Sequence, residues 1–339
     1  MKIKFWLLVT GFWLAFSGGL FAQDFYKGKT IRAIVGGTAG GGFDVYTRAL
    51  TRHMGKHIPG NPTFVVENMT GAATRIAAKY MHSAAKPDGL TFGIFNGYLV
   101  LSQVLNPKGF DFDMRSFEWI GVPVQDNVVC ALRKESGITN IDQWFAAKTP
   151  VKIGGLGPGN STSDVPRTIK ATLNLPLQLV EGYKGTADVR LAADAGELQG
   201  GCWAWQSVRV TWRKALETGD VYPILQVTAK KIPDLPNVAS ALDLAKSDEA
   251  RQIIRAGAIE PGAMTRVYVT TPGTPKDRVE ILRKAFADTL KDPDFLAEAN
   301  KVQLEVNPLT GEEVKTIVDN LFKLNPPIVS KLSSILAVK

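Results

Sequence analysis

"GGTAGGGFD", residues 36–44, places five glycines among nine positions. It follows the short apolar run Thr30–Val35 (TIRAIV) and leads into a helix-like pattern over 44–57. The stretch reads as strand, loop and helix, with Asp44 at the helix N-cap. The arrangement returns further along the chain. Residues 63–66 (TFVV), 67–71 (ENMTG) and 72–83 read as strand, loop and helix, after which Pro87-Asp88-Gly89 turns into a strand over 90–95. Residues 151–154 (VKIG), the loop 155–163 (GLGPGNSTS) and a helix over 164–173 repeat it, followed by a strand over 177–183 and a helix over 186–194. Strands that alternate with helices predict mostly parallel sheets covered by helices, an α/β fold.

The first residues bear on compartment. Lys2 and Lys4 precede an apolar run over 5–16, then Ser17-Gly18-Gly19-Leu20-Phe21-Ala22, the pattern of a secretory signal peptide cleaved after Ala22. Without Lys2 and Lys4, 38 basic residues stand against 32 acidic ones, a net charge of +6. The basic residues are scattered and not interleaved with aromatics, so no nucleic-acid partner is expected. About 317 residues after the leader exceed a usual single domain and suggest two. Cys130 and Cys202 are the only cysteines. Each lies in an apolar, strand-like run, where the two could pair in an oxidising compartment or remain free buried thiols.

Where a strand ends and a helix begins, free backbone N–H groups and the positive end of the helix dipole point at one spot, which suits an anion. Glycine lets a ligand approach that backbone. Three loops qualify, at 36–44, 67–72 and 155–163, and ligands of open α/β sheets bind at the carboxyl ends of strands. Nucleotide fingerprints do not fit. A G-x-G-x-x-G would need glycine where Val45 and Asn160 stand, and no G-x-x-x-x-G-K-[ST] occurs. No G-x-S-x-G elbow occurs either, and the chain has three histidines. His53 and His57 stand four apart, a spacing that can hold a metal, but Arg48, Arg52 and Lys56 share the stretch and point to a solvated basic face; no metal or cofactor is expected. In Cys202-Trp203-Ala204-Trp205 a strand would place both tryptophans on one face, as core or as a platform for an apolar or aromatic ligand.

The ordered set "KTIRAIVGGTAGGGFDVYTRAL", "VVENMTGAA", "KPDGLTFGIF", "GGLGPGNSTS", "EGYKGTADVRLAADAGELQGG" and "TTPGTPKDRVEILRKAF" resembles the periplasmic solute-binding receptors of tripartite tricarboxylate transporters, the Bug family. The likeness runs from about Tyr26 to the C-terminal helices. It implies a two-lobed periplasmic binding protein of type II, a Venus flytrap, each lobe a mixed, mostly parallel sheet flanked by helices. Residues 23–122 with 247–339 would form the first lobe and 123–246 the second. It further implies a monomeric, non-enzymatic receptor that closes over a small organic carboxylate and delivers it to cognate membrane permease subunits.

By position, the resemblance points to Thr38, Ala39, Gly41 and Asp44, to Gly71 and Ala72, and to Gly159, Ser161 and Thr162 as ligand contacts. Departures from the family pattern are visible. The first loop lacks the usual prolines and has Gly36 and Gly40 in that region, the second-lobe loop lacks the usual histidine, and Ala192 and Gln199 stand where acidic residues are common. Acidic groups there would suit an ammonium, so an amino-acid ligand is disfavoured. With Tyr183, Trp203 and Trp205 near in sequence, a dicarboxylate or an aromatic carboxylate is expected. The competing readings are a secreted α/β enzyme acting on small carboxylates and a ligand sensor for a membrane kinase.

Overall fold

A computed structural model describes residues 25–37, 39–183 and 185–336. The expected leader and Thr38 lie outside the described residues. The strands are β1 (Thr30–Val35), β2 (Thr63–Asn68), β3 (Thr91–Phe95), β4 (Glu118–Val122), β5 (Val128–Arg133), β6 (Val151–Gly155), β7 (Leu177–Glu181), β8 (Gly200–Ala204), β9 (Val221–Val227), β10 (Ala239–Ser240), β11 (Val267–Thr270) and β12 (Leu309–Thr310). They form two six-stranded sheets, ordered β12-β4-β11-β3-β1-β2 and β10-β9-β5-β8-β6-β7.

The two orders describe one plan used twice. In the first sheet β1 lies between β2 and β3, both parallel to it, and in the second β6 lies between β7 and β8 in the same way. An antiparallel strand then follows in each. It is β11 in the first sheet and β5 in the second, and each has just crossed over from the other sheet. The sequence therefore passes between the sheets at 123–127 and again before β11.

The helices that matter for the site are α1 (Gly42–Met54), α2 (Arg75–Ser83), α3 (Tyr98–Leu105), α4 (Ser161–Leu173), α5 (Thr186–Asp194), α6 (Trp205–Thr211), α7 (Lys276–Thr289) and α8 (Pro293–Lys301). They cover both faces of each sheet, which is why β1 is apolar beyond simple alternation. Ile31, Ala33 and Val35 enter one core with Leu50, Phe92 and Tyr268, while Ile34 enters the opposite core with Met81, Phe95 and Trp119. In the second sheet Val128, Cys130 and Leu132 face one core, and Val129 and Ala131 the other.

Cys130 and Cys202 are direct cross-strand neighbours of β5 and β8, and they form a disulfide. Element bounds differ from the sequence reading where side chains and local propensity disagree. The first helix begins two residues earlier than expected, at Gly42, because glycine at the N-terminal positions carries no apolar signal. The second begins at Arg75 and not at Ala72, since Ala72, Ala73 and Thr74 take left-handed backbone angles, φ 45°, 51° and 76°. Helix α8 was not anticipated; Asp292 caps it by accepting from the Asp294 N–H at 2.9 Å. Among the described residues no helix is long and apolar enough to cross a membrane.

Candidate functional site

The parallel strands β1, β2 and β3 end side by side, so their loops meet. The Asn68 amide at the end of β2 donates to the Gly37 carbonyl at 2.8 Å, and the Thr74 hydroxyl accepts from the Asn96 N–H at 2.9 Å. Packing here is close enough to require small residues. A β-carbon on Gly36 would stand 2.9 Å from Cβ of Thr74 and 3.0 Å from the Ile94 carbonyl oxygen.

Asp44 is the third residue of α1, not its N-cap. Gly41 occupies the cap position with extended angles and no side-chain cap. The buried Asp44 carboxylate instead reaches back to accept the Gly40 N–H at 2.8 Å, the Asn68 amide at 3.0 Å and the Arg48 guanidinium at 2.9 Å. Arg48 first, then the Gly40 N–H and Asn68, hold the carboxyl below its ordinary range against the opposing effect of burial. Asp44 thus fastens the glycine loop from behind. The N–H groups of Gly41, Gly42 and Phe43 have no partner among the described residues, as the start of a helix dictates.

The second sheet builds the same device with different residues. After β6, the Leu156 N–H donates to the Thr162 hydroxyl at 3.0 Å, the Gly157 N–H to the Ser163 hydroxyl at 2.9 Å, and the Gly159 N–H to both Asp164 oxygens at 3.2 and 3.0 Å. Asn160 is the side-chain cap of α4, accepting from the Thr162 N–H at 3.0 Å. Gly159 and Thr162 therefore have their N–H groups engaged within the loop, whereas those of Asn160 and Ser161 have no partner among the described residues. Asp164 is 2% exposed, and burial pushes its pKa up to about 7 although the Gly159 N–H and Arg167 act in the other direction.

The remaining candidates fall into two groups. Ala39 is exposed in the first loop, and Gly71 and Ala72 form its neighbour, where Gly71 has φ 126° and a left-handed turn runs on through Thr74. Three consecutive non-glycine residues at positive φ are costly and cluster at functional sites. Trp203 lies in the second-sheet core with its ring 4.9 Å from that of Trp212, and Trp205 starts α6 in the same core. Tyr183 packs half-buried at its margin. His53 in α1 and His57 just beyond it do not form a solvated face, for they tie this segment to α8 through Glu298 at 2.8 Å and its cap Asp292 at 2.7 Å.

Sequence reasoning missed the groups contributed by the crossovers. Arg266, just before β11, pairs with Asp126 of the first crossover, while Tyr98 opens α3 beside Ser161 of the second-sheet loop. Arg209 of α6 pairs with Glu305, which precedes β12, and so also joins the two halves. A lone arginine before a strand and a tyrosine at a helix start carry no local signal for such roles.

No family model matches the sequence, and comparison with curated proteins finds no match. Solved structures do resemble it in fold. A TctC solute-binding protein from Polaromonas aligns over 92% of this chain and 99% of its own, with TM-score 0.72 and 18% identity. The periplasmic binding protein BugD aligns over 93% and 99%, with TM-score 0.62 and 21% identity. R. palustris Rpa4515, solved with adipate, aligns over 91% and 97%, with TM-score 0.62 and 19% identity. The chain thus has the two-lobed α/β fold of these periplasmic solute-binding proteins, from its first described strand to its C-terminal helices.

Proposed function

We propose that the chain is a periplasmic receptor that captures a small organic carboxylate between its lobes and hands it to the membrane subunits of a tripartite tricarboxylate-type transporter. The lobes are residues 23–122 with 247–339, and 123–246, hinged at the two crossovers; residues 1–22 are an export leader. One observation carries the reading: each half supplies a glycine-loop helix start whose N–H groups, at Gly41–Phe43 and at Asn160–Ser161, have no partner among the described residues, and in each the nearby acid is turned back to hold its own loop. That leaves the open face of both loops to backbone donors, the arrangement that receives an anion. Hydrogen bonds from such donors to a carboxylate are charge-assisted and stronger than neutral ones.

Ala39, Gly41, Gly71, Ala72 and Ser161 are the contacts we assign, and Thr38 is retained on the sequence resemblance alone. A dicarboxylate is favoured over an aromatic acid, because Trp203 and Trp205 are spent on core packing and a fold relative holds adipate. Binding closes the lobes by hinge motion, and the protein works as a monomer without turnover.

Thermal denaturation against a panel of mono-, di- and tricarboxylates, amino acids and sugars tests this. A bound acid at 100 times its Kd should add about 2.7 kcal/mol of stability and be recovered unchanged. Gly41→Val keeps an extended backbone that valine accepts (φ −75°, ψ 166°) but obstructs ligand approach, and should weaken binding at least ~10-fold, since 1.4 kcal/mol is one decade. A melting shift produced only by sugars or amino acids would sink the carboxylate reading.

A further inference from the structure

A second polar cluster lies where the crossovers meet the loops, and the glycine-loop site does not account for it. Tyr98 is 3% exposed, and its hydroxyl is buried with no hydrogen bond to any described residue. Its polar neighbours are Ser161 from the opposite loop and the carboxylates of Asp164 and Asp126. Gly262 of the second crossover also borders it: a β-carbon there would stand 3.8 Å from the phenol oxygen. Burial first, then those carboxylates, hold the phenol far above its ordinary pKa against the smaller opposing effect of the Ser161 side chain, which approaches it without completing a well-formed hydrogen bond, so the phenol remains an O–H donor.

Arg266 lies on the other side of Asp126. Its Nη1 donates to the Asp126 carboxylate, its Cζ is 5.3 Å from the centre of the Tyr46 ring, and its Nη2 is 3.9 Å from the point where a side chain would leave Gly42. Its Nε is buried, and neither Nε nor Nη2 has a hydrogen-bond partner among the described residues. A guanidinium beside the first turn of α1 opposes the helix dipole, which favours negative charge there. Asp126 supplies one such charge, but on the Nη1 edge only. The groups left over are both donors: the Tyr98 hydroxyl and the Nε–Nη2 edge of Arg266. Buried donors without partners are costly, and the Nε–Nη2 edge of arginine matches the two oxygens of a carboxylate.

Resting on the carboxylate-receptor reading, we propose that Tyr98 and Arg266 form a distal subsite for the second acid group of a dicarboxylate, and that they set the preference for diacids over monoacids of equal length. Asp126 keeps the guanidinium in place by its Nη1 edge.

The test is calorimetric titration of the full protein with succinate, glutarate, adipate and terephthalate, each paired with butyrate, pentanoate, hexanoate and benzoate. The wild type should prefer at least one diacid over its monoacid by 10-fold or more. Arg266→Gln should abolish that preference, lowering diacid affinity at least 10-fold more than monoacid affinity. Because Arg266→Gln strands Asp126, it is read beside Tyr98→Phe, which removes one oxygen and should reduce the preference about fivefold. Equal affinity for a diacid and its monoacid in the wild type, or variants that weaken both alike, would overturn the subsite alone. A wild type that binds none of the eight acids and whose melting no other carboxylate of the thermal panel shifts overturns the carboxylate reading, and the subsite with it.

Discussion

Asp164 offers a prediction whose size follows from its surroundings. The carboxyl is 2% exposed at the start of α4, accepts the Gly159 N–H through both oxygens, and lies 3.6 Å from Arg167 Nη1. Burial raises its pKa from 3.8 to about 7. A carboxyl with a raised folded-state pKa holds its proton in the folded chain after the unfolded chain has lost it. Its contribution to stability is therefore complete below about pH 4 and is lost as pH rises through about 7. One pKa unit corresponds to about 1.4 kcal/mol, so the full window of roughly three units is worth up to about 4 kcal/mol.

Asp164→Asn keeps the shape and one acceptor for the Gly159 N–H but cannot titrate. Urea unfolding of both proteins at pH 5, 6, 7 and 8, at constant ionic strength, isolates the effect, because every other titrating group is common to both. The wild type should lose stability relative to Asp164→Asn by about 2–3 kcal/mol between pH 5 and pH 7, with the difference levelling off above that. Parallel curves for the two proteins across the range would refute the reasoning.

Three further outcomes follow from local geometry. Replacing both Cys130 and Cys202 by alanine opens a link between residues 72 apart and should lower the unfolding free energy by about 4 kcal/mol on loop entropy, read from urea midpoints under non-reducing conditions; a loss below 1 kcal/mol would contradict it. Gly200→Ala would put a β-carbon 2.1 Å from the Ala131 carbonyl oxygen inside the second sheet, and it should cost about 3 kcal/mol or prevent soluble expression, whereas a melting temperature equal to wild type would show that the strands can separate freely there. Ala73→Gly relieves a left-handed residue at φ 51° at the expense of a more flexible unfolded chain, so its stability should stay within about 1 kcal/mol of wild type; a larger loss would mean that the Ala73 methyl contributes packing.

The legible part of this protein is what short windows of sequence control. Apolar runs of five or six residues, glycine at their ends and a helical period after them gave the strand–loop–helix units, because strand pairing period and turn conformation are local demands. The same windows found β1, β6 and α1 to within a few residues. The Ala72–Thr74 turn was illegible because alanine and threonine give no local warning of positive φ; Asn96, which donates its N–H to Thr74, stands 22 residues away.

Sequence by itself determined that the chain is built of α/β units with glycine loops at strand ends, and that dinucleotide and phosphate-loop spacings are absent. Only the tertiary structure decided how those units are ordered, that β5 and β11 are inserted antiparallel in opposite sheets, and that Cys130 meets Cys202. It also decided that Asp44 and Asp164 hold their own loops, and that Arg266 meets Asp126 across 140 residues. The division has a physical cause. Helix periods and turn conformations are set by neighbouring residues, whereas strand order, ion pairing and the burial that shifts a carboxyl are properties of groups brought together only when the whole chain packs.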